Sequence, residues 1–119
     1  MKKLYIVKNA RDFEDIIKTG KRVKNKSFII YYKENNLPYN RYGVSVGKKL
    51  GNAVYRNKYK RKIRAIVDNY KKNYINHKDY IIILRGSAED KLYKELEEDY
   101  ISLINSIGKD TYNEAKTKN

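Results

Sequence analysis

The sequence predicts a single α+β domain in which helices pack against a small β-sheet. Two stretches indicate this class. Between Arg41 and Arg64 the apolar residues change from the alternating repeat of a half-buried strand to the spacing of a helix. Asp79 to Arg85, DYIIILR, is a continuous apolar run typical of a central strand. A chain of 119 residues is long enough for one modest core and too short for two.

The first predicted element is a short amphipathic helix from Lys8 to Gly20. Asn9 can cap its N-terminus, and Gly20 is expected to end it. Its apolar side consists of Phe13, Ile16 and Ile17. Most of this side is expected to belong to the core.

A β-rich run from Ser27 to Lys33 follows the first helix. In alternation, Phe28, Ile30 and Tyr32 share one face, while Ile29 and Tyr31 share the other. The turn-forming segment ENNLPYN, which contains the only proline, separates this strand from the one that begins at Arg41. The sequence therefore predicts an antiparallel hairpin of these two strands.

A long final helix is predicted after the central strand. Ser87 to Asp90 has the spacing of a capping box, with Asp in place of the preferred Glu. The apolar positions of this helix are Leu92, Leu96, Tyr100, Leu103 and Ile107. Gly108 is expected to end it, so residues 1–108 form the domain and residues 109–119 a disordered tail of basic and polar residues. Six of the fourteen acids lie between Glu89 and Asp99, so the helix is expected to face away from a polyanion.

The segment from Arg41 to Arg64 contains nine Lys and Arg residues and no acid. It predicts a strand, a basic turn with glycines, and a helix. With about 100° between successive residues, the apolar face of that helix consists of Tyr59, Ile63, Ile66, Val67, Tyr70 and Tyr74. A ridge beside it consists of Arg56, Asn57, Lys60, Arg61 and Arg64. A merely solvated helix normally places acids among its lysines, so the ridge favours a nucleic-acid surface.

The composition limits the other possible functions. A formal net charge of +14 makes nucleic acid or an anionic membrane the expected partner. The longest apolar run, Ile81 to Leu84, is too short to span a bilayer, and no signal-peptide pattern follows Met1, so a cytoplasmic protein is expected. The absence of cysteine excludes disulfides and thiol nucleophiles. The single histidine, His77, lies in a polar stretch without a nucleophile elbow and is not expected to be catalytic.

Val44 to Arg64, VSVGKKLGNAVYRNKYKRKIR, resembles the signature of the bacterial ribonuclease P protein subunit. The matching residues form a dense, ordered pattern: Gly43, Ser45, Lys48, Lys49, Gly51, Asn52, Ala53, Val54, Arg56, Asn57, Lys60, Arg61 and Arg64. Two positions depart from the family pattern. Lys58 stands where the family has the second Arg of an Arg-Asn-Arg triplet, which keeps the charge but loses a bidentate fork. Ala65 stands where an acid often follows.

The resemblance implies the protein subunit of ribonuclease P, an RNA-based endoribonuclease that removes the 5′ leader from precursor tRNA. In the family the RNA subunit performs the hydrolysis with bound Mg²⁺, so neither a catalytic residue nor a metal ligand is expected in the protein. The expected partners are ribonuclease P RNA and precursor tRNA, with no DNA, no membrane and no obligatory protein partner. The residues expected to bind RNA are Lys48, Lys49, Asn52, Arg56, Asn57, Lys58, Lys60, Arg61 and Arg64.

The resemblance also implies a cleft between the first helix and the sheet that takes the single-stranded 5′ leader. Phe13 matches a family aromatic position, and Tyr31 matches the leader-cleft tyrosine. Ile17 stands where the family commonly has another Phe. Aromatic rings suit such a cleft because any base can stack on them. The alternative for Tyr31 is an ordinary sheet residue packed under the first helix.

The fold implied by the resemblance is the two-layer sandwich called ribosomal protein S5 domain 2-like, with a left-handed βαβ crossover through the basic helix. The residues alone favour the commoner right-handed connection. Two other functions fit the charge: a ribosomal or general RNA-binding protein without an enzymatic partner, and a helix-turn-helix DNA-binding protein. The Arg56-Asn57 motif in its strand-to-helix setting favours ribonuclease P over the first, and the strand before Gly51 argues against the second.

Overall fold

Three α-helices and four strands make up the computed structural model, which describes residues 5–70, 77–88 and 91–117. In chain order they are α1 (Ala10–Thr19), β1 (Lys21–Lys24), β2 (Phe28–Glu34), β3 (Arg41–Val46), α2 (Ala53–Asn69), β4 (Lys78–Leu84) and α3 (Tyr93–Thr117). Short 3₁₀ turns at Lys48–Leu50 and Gly86–Ala88 precede α2 and α3. The predicted α+β class is confirmed. Within the described ranges, no helix combines the length and the apolar character needed to cross a membrane.

β4 is a central strand, as its continuous apolar run predicted. The strand order is β1-β2-β4-β3, with β2 antiparallel to both β1 and β4, and β3 parallel to β4. Tyr80, Ile81 and Ile82 are fully buried because both faces of β4 are covered. β3 and β4 are connected through α2, which is the predicted βαβ crossover. Its left-handedness stays a prediction.

The predicted hairpin of β2 and β3 is wrong, because β4 lies between these strands. β4 has apolar side chains on both faces and therefore takes an interior position in the sheet. β2 instead forms a hairpin with β1, a strand that the sequence did not predict because Val23 is its only apolar residue. Oδ1 of Asn25 stabilises the turn by accepting hydrogen bonds from N of Ser27 and N of Phe28, both at 3.0 Å.

The main core lies between one face of the sheet and helices α2 and α3. The alternation predicted for β2 is confirmed, since Phe28, Ile30 and Tyr32 are buried. The ring of Tyr80 stacks on Tyr32 and Tyr42 of the neighbouring strands, with centroids 6.5 and 5.7 Å apart. Of the predicted apolar face of α2, Tyr59, Ile63, Ile66 and Val67 are buried, Tyr70 is half-buried at the C-cap, and Tyr74 lies outside the described residues.

α1 packs on the opposite face of the sheet, where Ile16 belongs to a second buried cluster with Val7 and Ile81. Asn9 caps the helix as predicted, its Oδ1 accepting a hydrogen bond from N of Arg11 at 2.8 Å. The sheet therefore has a core face under α2 and α3, and a second face that α1 covers only in part.

Gly20 ends α1, as predicted, but through close backbone contacts rather than a left-handed cap. A Cβ at this position would lie 2.6 Å from O of Ile16 and 2.7 Å from O of Tyr32. Because Gly20 has no side chain, the chain can turn directly from α1 into β1.

α3 begins with a different cap from the predicted one. N of Leu92 donates to Oε1 of Glu95 at 3.3 Å, while Oγ of Ser87 donates to O of Lys26. The predicted capping role of Ser87 is therefore wrong, because its hydroxyl holds the end of β4 to the turn between β1 and β2. Residues 89 and 90 lie outside the described ranges.

α3 also ends later than predicted. It continues through Gly108 to Thr117, because a glycine inside a helix costs only about 1 kcal/mol and does not by itself stop it. The backbone of residues 109–117 continues this helix, and the domain boundary at residue 108 stays a prediction.

Candidate nucleic-acid interface

α2 begins at a turn that requires glycine. Gly51 has φ 153°, and a Cβ there would lie 2.6 Å from Cδ1 of Tyr55. Oδ1 of the next residue, Asn52, accepts a hydrogen bond from N of Tyr55 at 2.9 Å and caps the helix. Asn52 was predicted to bind RNA, but its structural role is to start α2 at this point. Its contact with RNA stays a prediction.

The outward side of α2 is a continuous stripe of exposed side chains. They are Val54, Asn57, Lys58, Arg61 and Arg64. Lys48 and Lys49 are exposed in the preceding turn, and Arg56 and Lys60 are half-buried along the edge of the stripe. We call these seven cations the basic stripe: Lys48, Lys49, Arg56, Lys58, Lys60, Arg61 and Arg64. The chain has no acid from residue 41 to residue 67, so no carboxylate of α2 lies among these cations, and the one acid of the helix, Asp68, lies near its C-terminus.

Two cations near the core are held by packing. Arg56 is half-buried, and its Nε is buried with no hydrogen-bond partner in the described part of the chain. Nζ of Lys62 lies 5.1 Å from the ring centroid of Tyr59. Lys62 was not among the residues predicted to bind RNA. Side chains held in this way lose less conformational entropy on binding a ligand than freely exposed ones.

Arg41, the first of the nine cations between residues 41 and 64, does not belong to the basic stripe. Its Nε and Nη2 donate to Oδ1 and Oδ2 of Asp79 at 2.9 and 2.6 Å. Its Nη1 lies 3.6 Å from Oδ2 of Asp12 on α1. The hydrogen bond to Asp79 raises the pKa of Arg41 despite its partial burial. The guanidinium is therefore engaged in an internal ion pair that links β3, β4 and α1.

The three predicted cleft residues meet on the second face of the sheet. Phe13, Ile17 and Tyr31 are half-buried and pack against the cluster that contains Ile81. A Cβ at Gly43 would lie 2.8 Å from Cε2 of Phe13 and 2.9 Å from Cδ1 of Ile81. The missing side chain at Gly43 therefore makes room for the Phe13 ring. The structure brings the predicted residues together, and their role in leader binding stays a prediction.

Two cations that border this cleft were not predicted from the sequence. Arg22 and Lys24 of β1 are exposed and pair in register with Tyr31 and Ile29 of β2. Directly paired residues point to the same face, so both cations lie on the cleft side. The only signal in the sequence was the alternation in KRVK, which is too short to predict a strand.

Ion pairs fix α1 beside the cleft. Nζ of Lys33 on β2 lies 2.7 Å from Oδ2 of Asp15, and Arg41 reaches Asp12 one turn earlier. Nδ2 of Asn35 also donates to Oδ1 of Asp79 at 2.8 Å, which completes the set of donors around this buried carboxylate. Polar contacts therefore hold the half of α1 that carries Phe13 and Ile17 against the sheet.

The fold and the charge define a small basic α+β domain of the kind that binds nucleic acid. One face of its sheet supports the basic stripe, and the other carries an aromatic cleft bordered by cations. Residues 1–108 match the model of the family described as Ribonuclease P. The chain belongs to this family.

Relatives agree with this assignment over nearly their whole length. The ribonuclease P protein component of Streptococcus agalactiae is 43% identical over 108 residues, which covers 91% of this chain and 98% of the relative. The solved structure of the RNase P protein from Staphylococcus aureus has a TM-score of 0.77 and 39% identity, covering 88% of this chain and 95% of that one. The RNase P protein from Thermotoga maritima has a TM-score of 0.76 and 29% identity, covering 82% and 93%.

These findings confirm the protein-subunit role that the resemblance predicted. The chain is part of a ribonucleoprotein with ribonuclease P RNA and acts in tRNA processing. Family membership decides against a general RNA-binding protein without an enzymatic partner. The strand β3 before Gly51 likewise decides against a helix-turn-helix.

Proposed function

We propose that this protein contacts two RNAs at once. The basic stripe binds ribonuclease P RNA, and the cleft of Phe13, Ile17 and Tyr31 holds the 5′ leader of precursor tRNA. The observation that carries this proposal is the placement of the two surfaces. α2 packs on the core face of the sheet, whereas the cleft lies on the other face beside α1. Occupation of one surface therefore leaves the other accessible.

The basic stripe fits an RNA backbone by its charge and its arrangement. Its cations follow one side of a helix and the turn before it, without an acid among them. Such cations bind by neutralising phosphates and releasing condensed counterions. Asn57 is exposed among them and can direct a hydrogen bond to a base edge or a 2′-hydroxyl.

The cleft fits a single strand of varied sequence. Phe13 and Tyr31 each leave part of a ring exposed on which a base can stack, and stacking does not require a particular base. Arg22 and Lys24 lie beside these rings on β1, where they can contact the phosphates between the stacked bases. Aromatic rings with neighbouring cations are the general means by which proteins hold single-stranded nucleic acid.

A metal site supplied by the protein would need acidic or histidine side chains placed close together. In residues 5–70, 77–88 and 91–117, no three acidic or histidine side chains are placed to hold a metal ion. Asp79 is engaged by Arg41 and Asn35, and Asp15 by Lys33. Our proposal assigns Mg²⁺ mainly to the RNA subunit, which performs the cleavage, and it places the ribonucleoprotein in the cytoplasm. The protein contributes cations that neutralise phosphates near the cleaved bond.

The test measures 5′ cleavage of precursor tRNA across a Mg²⁺ titration with RNA alone, protein alone, and both. RNA alone should cut at raised Mg²⁺, and at near-physiological Mg²⁺ cleavage should depend on the protein, because its cations replace part of the neutralisation that metal ions supply. An Arg61→Ala, Arg64→Ala double variant should need more Mg²⁺, and Lys94→Ala on α3 should not. Cleavage by the protein without RNA would overturn the assignment of the chemistry. A Mg²⁺ requirement that the protein does not change would overturn the mechanism.

A further inference from the structure

A cavity of about 440 Å³ opens at the edge of the sheet where α1 turns into β1. Lys21, Lys33 and Lys78 line it together with Glu34 and the ring of Tyr32. Its size falls in the range of about 300 to 1,000 Å³ that is usual for small-molecule pockets. It belongs neither to the basic stripe nor to the aromatic cleft.

Lys78 is the most buried lysine of this cavity. Its side chain is only 11% exposed, and the nearest carboxylate oxygen, Oε1 of Glu34, is 4.0 Å from Nζ, which is beyond hydrogen-bond distance. Nζ lies 5.8 Å from the ring centroid of Tyr32. An ammonium group with reduced access to water is stabilised by a nearby anionic acceptor. An anion in the cavity would provide that acceptor.

The other charges around the cavity favour an anion as well. Lys21 pairs in register with Tyr32, and Lys78 pairs with Glu34, so these residues lie at the same end of the sheet. Three lysines and one glutamate are among the residues that line the cavity. The carboxylate of Glu34 is 86% exposed at the rim, and Lys33 is shared with Asp15. The lining is therefore positive overall, and its most buried charge is Lys78.

We propose that this cavity is a third anion site, which binds a phosphate group through Nζ of Lys78 with support from Lys21. Phosphate is the anion that an RNA-binding protein meets most often, either in an RNA backbone or in a free nucleotide. The cavity has room for a nucleoside attached to the phosphate, and the ring of Tyr32 forms part of its wall. Tyr32 lies on the core face and Tyr31 on the cleft face, so the site does not overlap the proposed leader cleft.

The test titrates the intact protein with inorganic phosphate, adenosine 5′-monophosphate and a short single-stranded RNA, followed by ³¹P NMR. Lys78→Met keeps the apolar stem and removes the charge, and it should weaken binding at least about tenfold through loss of a charge-assisted hydrogen bond. Glu34→Gln removes the competing carboxylate and should tighten binding about threefold. Lys94→Met, a matched change on the exposed side of α3, should have no effect.

The three probes distinguish the source of the phosphate. Only binding that Lys78→Met weakens is counted, because the basic stripe and the cleft also attract RNA. Equal binding of phosphate and nucleotide would then show that the phosphate group alone is recognised, and tighter nucleotide binding would place the base in the cavity. If RNA is the only probe that Lys78→Met affects, the site binds a backbone phosphate. Glu34→Gln also serves as the control for misfolding, because a variant with a damaged site would not bind the probes more tightly. The proposal would be overturned if none of the three probes bound the natural protein, or if Lys78→Met left their binding unchanged. Weaker binding in Glu34→Gln would overturn it as well.

Discussion

The ring of Phe13 rests on the bare backbone of Gly43, so that a single Cβ at position 43 would come within 2.8 Å of Cε2 of that ring. Ile81 limits the same space from the side, with its Cδ1 2.9 Å from the position of that Cβ. The ring therefore cannot accommodate a methyl group at position 43 without moving.

Gly43→Ala should therefore weaken binding of precursor tRNA to the ribonucleoprotein. The displaced Phe13 ring should lose part of the roughly 1 to 3 kcal/mol that a base stacked on an aromatic residue contributes. The measurement compares dissociation constants for precursor and mature tRNA, since mature tRNA has no leader. Gly47→Ala is the matched control, because a Cβ at Gly47 meets no atom within 4 Å. Equal effects of the two substitutions would show that Phe13 does not take part in leader binding.

Tyr31→Ala tests the cleft from the sheet side. Precursor tRNA should bind more weakly by roughly 1 to 3 kcal/mol, and mature tRNA should bind as before. Thermal unfolding of the variant serves as the control for damage to the core. If both forms of tRNA bind more weakly to the same extent, Tyr31 is a packing residue and the leader lies elsewhere.

Salt dependence tests the basic stripe. With about six phosphate contacts, the logarithm of the affinity for ribonuclease P RNA should fall with the logarithm of salt concentration at a slope of about −4 to −5. Arg64→Ala should weaken binding and reduce the slope by about one. Lys94→Ala on α3 should leave the slope as it is. Affinity that hardly responds to salt would contradict an electrostatic interface.

The ion pair of Arg41 and Asp79 should contribute to stability rather than to RNA affinity. Asp79→Ala leaves a partly buried guanidinium without its main acceptor and should lower the free energy of unfolding by about 3 kcal/mol in urea denaturation. Asp12→Ala removes the more exposed contact to the same arginine and should cost less than about 1 kcal/mol. If Arg41→Met binds RNA more weakly but is as stable as the natural protein, Arg41 contacts RNA.

Asp99 makes stability depend on acid pH. Burial raises the pKa of its carboxyl, but hydrogen bonds from Lys91 and Ser27 and the charges of Lys91 and Lys26 outweigh burial and hold the pKa below its ordinary value of 3.8. A carboxyl whose pKa is lower in the folded state stabilises the fold above its unfolded pKa, and the stabilisation is lost as pH falls through the folded value. Asp99→Asn should therefore be less stable than the natural chain at pH 7. The difference should shrink below a pH of about 4, and a difference independent of pH would contradict this assignment.

Patterns within one element predicted that element well. The strand-to-helix change after Arg41, the cap at Asn9 and the buried face of α2 all depend on neighbours a few residues away, and the structure confirms them. The pairing of strands depends on contacts between distant segments. The sequence therefore placed β2 beside β3, although β4, with apolar residues on both faces, lies between them.

In the candidate site, too, features that depend on neighbouring residues were predictable, and features that depend on distant segments were not. The exposure of Lys58, Arg61 and Arg64 follows from helical spacing, so it was predictable. The partner of Arg41 was not, because Asp79 is 38 residues away in the chain and meets it only through the parallel pairing of β3 with β4. The cations of β1 were missed for a similar reason, since only their pairing with β2 places them beside Tyr31.

The capped start of α2 has a consequence for the field around the basic stripe. α2 has no acidic residue in its first turn, so the partial positive charge of its N-terminus, about half an elementary charge, is not compensated there. Gly51 and Asn52 place this backbone charge directly after Lys48 and Lys49. Peptide dipoles carry no titratable proton and cannot be acetylated. Together with the three arginines of the basic stripe, this backbone charge should preserve part of the attraction for a polyanion at high pH or after chemical modification of every lysine.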